Sequence, residues 1–126
     1  MNQESHARHS LVIVVDDDDA VRNSLKFSLE IEGFAVRLYS RGAELLDASD
    51  VAECACLIID QNMPGLTGLE TVKKLRERHV TVPTILITGH PTAALRARAR
   101  GEGADIVEKP LFGNALIEGI RGVIKH

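Results

Sequence analysis

The sequence has no Trp, one Tyr and three Phe among 126 residues, so aromatic clusters cannot fill its interior. A core must be built from Val, Ile, Leu and Ala instead. No apolar run approaches the roughly 20 residues of a membrane span. The opening MNQESHARHS also lacks the apolar segment of an export signal. No membrane contact is expected, and a cytoplasmic location is. Basic charge is not in excess either, since the net charge is −3. That argues against direct nucleic-acid binding by this domain, because such affinity rests on Lys and Arg neutralising phosphates. It does not bear on DNA binding by a fused partner. Cysteine is limited to Cys54 and Cys56. An extended strand would turn both to one face, as a pair of metal thiolates requires. With no second Cys pair, they read as plain thiols in a reducing compartment.

The length fits one domain with one sizeable core, and no repeat, linker or low-complexity run divides it. Residues 1–10 are polar and without periodicity, and are expected to form a flexible N-terminal arm; His6 and His9 there are tail residues rather than a metal pair. From Leu11 to His126 short apolar runs alternate with amphipathic stretches. LVIVV (11–15) reads as a strand buried on both faces, followed by a helix with Val21, Leu25, Ser28 and Leu29 on one stripe and Gly33 just past its end. A second strand is expected from Phe34 to Leu38, then a helix capped by Ser40 and running to about Ala48.

Cys56 to Ile59 forms the third strand, and Thr67 to Glu70 has capping-box spacing for a helix with Leu69, Val72 and Leu75 inward. Thr84 to Ile87 is the fourth strand, and Pro91 suits the first turn of a helix that ends near Gly101 and Gly103. Ile106 and Val107 make a short fifth strand. Leu116, Ile117, Ile120 and Ile124 line the last helix. Alternation of this kind implies an α/β fold with a parallel sheet covered by helices on both faces. Ligand sites in such sheets lie off the carboxyl ends of the strands.

The residues at those ends are therefore informative. Strand one runs into Asp16 and Asp17, strand three into Asp60, strand four into Thr88, and strand five into Glu108-Lys109-Pro110. If strands one and three are neighbours, three carboxylates converge. At an effective dielectric near 20, two charges about 4 Å apart repel by roughly 4 kcal/mol. Either one carboxylate takes up a proton or a hard cation sits among them. Oxygen donors with room for water suit Mg2+ better than Zn2+. With a Lys ammonium and a hydroxyl nearby, the set describes a phosphoryl-transfer site with a carboxylate nucleophile. Asp18 and Asp19 read more simply as residues that favour the start of a helix.

The segments VIVVDDDDAVR, LIIDQNMPGLTGLE, ILITGH and VEKP, in that order, resemble the four motifs of the bacterial response-regulator receiver domain, over about residues 10–125. The ITGH and EKP wording is most similar to receivers of the nitrogen-fixation regulator type. The resemblance implies a single flavodoxin-like domain, residues 11–126, with a five-stranded sheet in the order 2-1-3-4-5. It implies that Asp60 is the phosphoacceptor, receiving phosphoryl from a sensor histidine kinase or phosphotransfer protein. Asp16, Asp17, Asp60 and the backbone carbonyl of Asn62 would hold Mg2+. Thr88 would bond the phosphoryl group, Lys109 would pair with it, and Lys109-Pro110 would be cis. Such a module catalyses only its own phosphorylation and dephosphorylation. It signals to a fused or separate effector, a helix-turn-helix DNA-binding domain in the nitrogen-fixation type, and can form a phosphorylation-dependent homodimer.

Three positions depart from the family pattern. Ile106 stands where a switching Tyr or Phe is common, the stretch from Thr88 to Lys109 is one residue short, and Pro91 replaces a more typical Gly. Asn62 and His90, each two residues past a site residue, lie where the family varies its dephosphorylation rate; His90 is equally a candidate cap for the fourth helix. Two other functions compete. One is an interaction module whose output ignores phosphorylation. The other is a haloacid-dehalogenase-like phosphohydrolase, whose nucleophile motif on strand one is unmatched because Asp16-Asp17-Asp18-Asp19 is followed by Ala20. The chain ends just past the fifth helix, as either a stand-alone receiver or a fragment of a longer regulator would.

Overall fold

Apolar, mostly β-branched and leucine-rich, runs of five residues make the strands at the centre of this molecule. The computed structural model describes residues 10–111 and 114–124. β1 (Leu11–Val15), β3 (Cys56–Asp60) and β4 (Thr84–Thr88) fill the middle of one sheet, and β2 (Ala35–Tyr39) and β5 (Ala104–Glu108) form its edges. The order is β2-β1-β3-β4-β5 and every pairing is parallel. All residues of β3 and β4 are buried, which is why these strands read as continuous apolar runs rather than alternating ones.

Parallel neighbours require crossovers, and helices supply them. These are α1 (Asp19–Ile31), α2 (Gly42–Leu46), α3 (Gly68–Glu77), α4 (Ala93–Gly101) and α5 (Ala115–Ile124), with a 3-10 turn at Val51–Glu53. Strand side chains alternate between two core layers. Ile13, Val15, Leu57, Ile59 and Leu86 pack with Leu45 of α2, Leu69, Val72 and Leu75 of α3, and Leu95 and Ala99 of α4. On the other face Val12, Val14, Ile58, Ile85 and Ile87 meet Leu25 and Leu29 of α1 and Leu116 and Ile120 of α5. This is the expected flavodoxin-like architecture. No described helix is long and apolar enough to cross a membrane.

The local signals mostly act as expected. Thr67 and Glu70 form a reciprocal capping box at α3, and Gly33 takes a φ of 99° after α1. Ser28, however, is exposed, and the buried stripe of α1 is carried by Leu25 and Leu29. Ser40 does not cap α2. Its amide and hydroxyl both donate to Glu44 Oε1, at 2.8 and 2.9 Å, so the helix residue satisfies the turn rather than the reverse. α2 stops at Leu46, and β2 is shifted one residue along, to Ala35–Tyr39. Pro91 lies before α4, where Thr92 is the N-cap and accepts from Leu95 N. His90 is therefore not the cap. β5 gains three residues over expectation by pairing along its length with β4.

Cys54 and Cys56 do not share a face. Cys54 ends the 3-10 turn and joins one core layer, while Cys56 opens β3 and joins the other. Both are free and buried, and burial pushes each thiol up to about 12. Ile106 is half-buried against the layer that carries α2, α3 and α4. Of the expected arm, only Ser10 falls among the described residues, and its carbonyl accepts from Ala35 N; His6 and His9 lie outside them.

Candidate functional site

Four acidic residues in a row follow β1, and the local geometry gives them different tasks. Asp18 is the N-cap of α1, accepting from Ala20 N at 2.9 Å and Val21 N at 3.2 Å. Asp19 opens the helix and pairs with Arg22. Asp16 and Asp17 are left for the strand end. Asp16 is 1% exposed, and its backbone amide donates to Tyr39 O on β2. Its Oδ1 accepts from Asp18 N at 3.0 Å, which turns the chain back on itself.

β3 carries Asp60 as its last residue, 2% exposed. Because β1 and β3 are adjacent, Asp16, Asp17 and Asp60 bring carboxylate oxygens within 4.8 Å of one another. Among the described residues no other group of His, Cys, Asp and Glu does so. Lys109 directly follows β5 and precedes the cis bond to Pro110, and its Nζ reaches Asp60 Oδ1 at 2.9 Å. The contact pairs a buried carboxylate with a partly exposed ammonium. Burial opposes the ammonium charge, but the Asp60 carboxylate overrides this and holds Lys109 above its ordinary range.

Thr88 ends β4, one residue past Ile87, which registers with Asp60. It is buried, its Oγ1 accepts from His90 N at 3.2 Å, and its carbonyl accepts from Lys109 N at 2.8 Å. The backbone thus links hydroxyl and ammonium at one edge. Asn62 is exposed, two residues past Asp60.

Three carboxylates face one ammonium here. Burial pushes the Asp16 carboxyl up; the Asp18 amide works against this and Asp60 reinforces it. Asp16 Oδ2 is buried and accepts no hydrogen bond among the described residues. A buried carboxylate oxygen with no donor, in a cluster of hard oxygens free of His and Cys, fits Mg2+ in donor type and in charge. A phosphohydrolase of the haloacid-dehalogenase kind would place its nucleophile on β1, whereas the lysine-paired carboxylate here closes β3.

Three residues that support the site had no role assigned from sequence. Arg22 Nη1 donates to Asp16 O at 2.6 Å. Gln61 Oε1 accepts from Leu69 N at 2.8 Å, tying the start of α3 to the residue after Asp60. At Gly68 a Cβ would lie 2.5 Å from Asp60 O, so only glycine admits that approach. For Arg22 the available signal was its place on the first turn of a helix entered through acidic residues.

Comparison with known proteins agrees with this geometry. The response regulator receiver domain family matches residues 12–121. The transcriptional regulatory protein FixJ of Azorhizobium caulinodans is 42% identical over 111 residues, covering 87% of this chain and 53% of that protein. FixJ of Rhizobium meliloti is 34% identical, covering 91% and 57%. The crystal structure of FixJ-N superposes with a TM-score of 0.80 at 33% identity, over 92% of this chain and 94% of that one. The chemotaxis protein CheY4 of Vibrio cholerae gives 0.84 at 26% identity, over 91% and 98%. The chain spans about half the length of the curated relatives it matches. With its strand order, its acidic cluster and the extent of these matches, the chain belongs to the response regulator receiver domain family of two-component signalling.

Proposed function

We propose that Asp60 accepts a phosphoryl group from a phosphohistidine of a sensor histidine kinase or phosphotransfer protein, and that the domain switches its partner contacts in response. The observation that carries this reading is the buried Asp60 carboxylate with Lys109 Nζ at 2.9 Å and two further carboxylates within 4.8 Å. An Asp60 oxygen attacks phosphorus, the bond from phosphorus to the donor imidazole breaks, and the imidazole keeps the electron pair. Lys109 holds its ammonium where negative charge accumulates on the equatorial oxygens. The Thr88 hydroxyl, at the neighbouring strand end, donates to the phosphoryl group once it is in place. Asp16, Asp17 and Asp60, with the backbone carbonyl of Asn62, would hold Mg2+. Bound there, the ion offsets the charge of the carboxylates and of the transferring group.

Residues 11–126 form the receiver in this reading, with residues 1–10 as an arm before it, in a cytoplasmic protein. The output is a fused or separate effector, which by analogy with FixJ is a helix-turn-helix domain, or a phosphorylation-dependent homodimer. Incubation with acetyl phosphate and Mg2+ tests the chemistry. Intact mass should show one base-labile phosphoryl group, absent in Asp60→Asn; no adduct on the unaltered protein would refute it.

Ile106 favours a second reading of the output. A half-buried branched aliphatic cannot swing a ring between buried and exposed positions. Coupling then runs through α4 and β5 by other side chains, or not at all. Partner affinity unchanged by beryllofluoride, a stand-in for the phosphoryl group, would identify a module whose output ignores phosphorylation.

A further inference from the structure

Asp16 has four groups able to make hydrogen bonds, and three are committed to holding it in place. Its amide donates to Tyr39 O, its carbonyl accepts from Arg22 Nη1 at 2.6 Å, and its Oδ1 accepts from Asp18 N at 3.0 Å. Only Oδ2 is left, buried and without a donor, in the carboxylate cluster. Two of these three restraints are backbone or short-range. The third, from Arg22, is the one restraint on Asp16 that a side chain of another residue supplies.

Arg22 is suited to that task. It sits in the first turns of α1, with its amide bonded to Asp18 O, so its stem starts from fixed helical backbone. Its side chain is 16% exposed, and its second guanidinium nitrogen pairs with Asp19, which is 82% exposed. A planar guanidinium can hold a carbonyl and a carboxylate at once, which an ammonium does less well. The pair also engages the charge of Asp19, next along the acidic run.

We propose that Arg22 is a positioning residue for the divalent cation: by pinning the Asp16 carbonyl it holds the turn after β1 so that Asp16 and Asp17 present their carboxylates to Asp60. The inference rests on the reading of this cluster as a Mg2+ site. It also makes a prediction opposite in sign to simple electrostatics. Removing a positive charge near a cation site, taken alone, strengthens dication binding. Releasing a residue that orients the donors weakens it, typically by tenfold or more.

Calorimetric Mg2+ titration of the wild type, Arg22→Gln and Arg22→Lys reads that sign directly, with circular dichroism to confirm folding. Arg22→Gln is expected to bind Mg2+ about tenfold more weakly, and Arg22→Lys to fall between it and wild type. With acetyl phosphate, the Mg2+ concentration for half-maximal phosphorylation should rise while the rate at saturating Mg2+ stays near wild type. Mg2+ binding by Arg22→Gln as tight as, or tighter than, wild type overturns the proposal. If Arg22→Gln fails to fold, Arg22→Lys decides on the same criterion. Absence of Mg2+ binding by the wild type would instead overturn the metal reading itself, and the inference with it.

Discussion

Asp60 Oδ1 and Lys109 Nζ stand 2.9 Å apart, the carboxylate side chain 3% exposed and the ammonium 34%. This pair joins the end of β3 to the residue after β5, so two strands that do not touch in the sheet meet at its carboxyl edge.

Removing the ammonium leaves a buried carboxylate beside two others. Lys109→Met is expected to lower stability by about 1 kcal/mol, a modest figure because solvent screens the exposed side of the pair. In an Asp60→Asn background the same change should cost much less. Urea melts of the four proteins in this cycle measure the coupling. A loss that is independent of residue 60 would contradict the pairing.

Asp16→Asn is expected to stabilise the metal-free protein at pH 7, by about 1–3 kcal/mol, because it removes a buried negative charge whose Oδ2 lacks a donor. The folded carboxyl is raised from its ordinary 3.8. Its contribution to stability is therefore full below pH 3.8 and is lost as pH rises through the higher folded value. The advantage of Asp16→Asn should grow over that interval. Melts in chelator at several pH values test this, and an advantage that is constant from acid to neutral pH would be inconsistent with it.

Gly68→Ala forces a Cβ to within 2.5 Å of Asp60 O and 2.7 Å of a Leu86 methyl. The helix start must move away from the strand end, at an expected cost of about 1–3 kcal/mol. Acetyl-phosphate labelling should slow as well, since Asp60 shifts with its carbonyl. Unchanged stability and labelling together would show that α3 can retreat freely.

Both thiols are pushed up to about 12 by burial, from near 8.5 in an unfolded chain. The folded state thus keeps them protonated, and their contribution is full below about pH 8.5 and is lost toward pH 12. Iodoacetamide at pH 9 should label the native protein far more slowly than the urea-unfolded chain. The Cys54→Ala, Cys56→Ala double variant should be less stable at pH 7 but lose stability less steeply above pH 9. Rapid labelling of the native protein would place a thiol outside the core.

Asn62 is exposed two residues beyond Asp60, and its side-chain amide is proposed to orient the water that attacks the phosphoryl group. Asn62→Ala is expected to lengthen the phosphoryl half-life several-fold, as followed by loss of the adduct after removal of the donor. An unchanged decay rate would leave Asn62 only its backbone carbonyl as a role.

The sheet and its site were readable because burial on both faces leaves the strands little choice of composition. An apolar run that ends abruptly in Asp or Thr marks the strand end, and Asp16, Asp60 and Thr88 follow from that; Lys109, past Glu108 on a less buried edge strand, follows from the Lys-Pro wording instead. What was misread lay where two local solutions compete. Ser40 is a good cap by residue type, yet Glu44 reaches back to it and reverses the bond. Pro91 suits a first helical turn, yet Thr92 supplies the stronger start one residue later. Cys54 and Cys56 obey strand alternation only if both lie in a strand, and Cys54 does not. Arg22 was only half readable: its place three residues after Asp19 suggests that pair, but its other partner is a backbone carbonyl, and a carbonyl has no letter in the sequence.

The lone tyrosine has a further consequence. Tyr39 accepts from the Asp16 amide through its carbonyl, and its hydroxyl donates to Asp50 Oδ1 at 3.1 Å. With no Trp in the chain, near-ultraviolet emission from this protein comes chiefly from one phenol, on a residue one backbone hydrogen bond away from the acidic turn. The molecule therefore carries its own optical probe, and if the acidic cluster takes Mg2+ as proposed, a stopped-flow trace of unlabelled protein mixed with Mg2+ is expected to follow that turn.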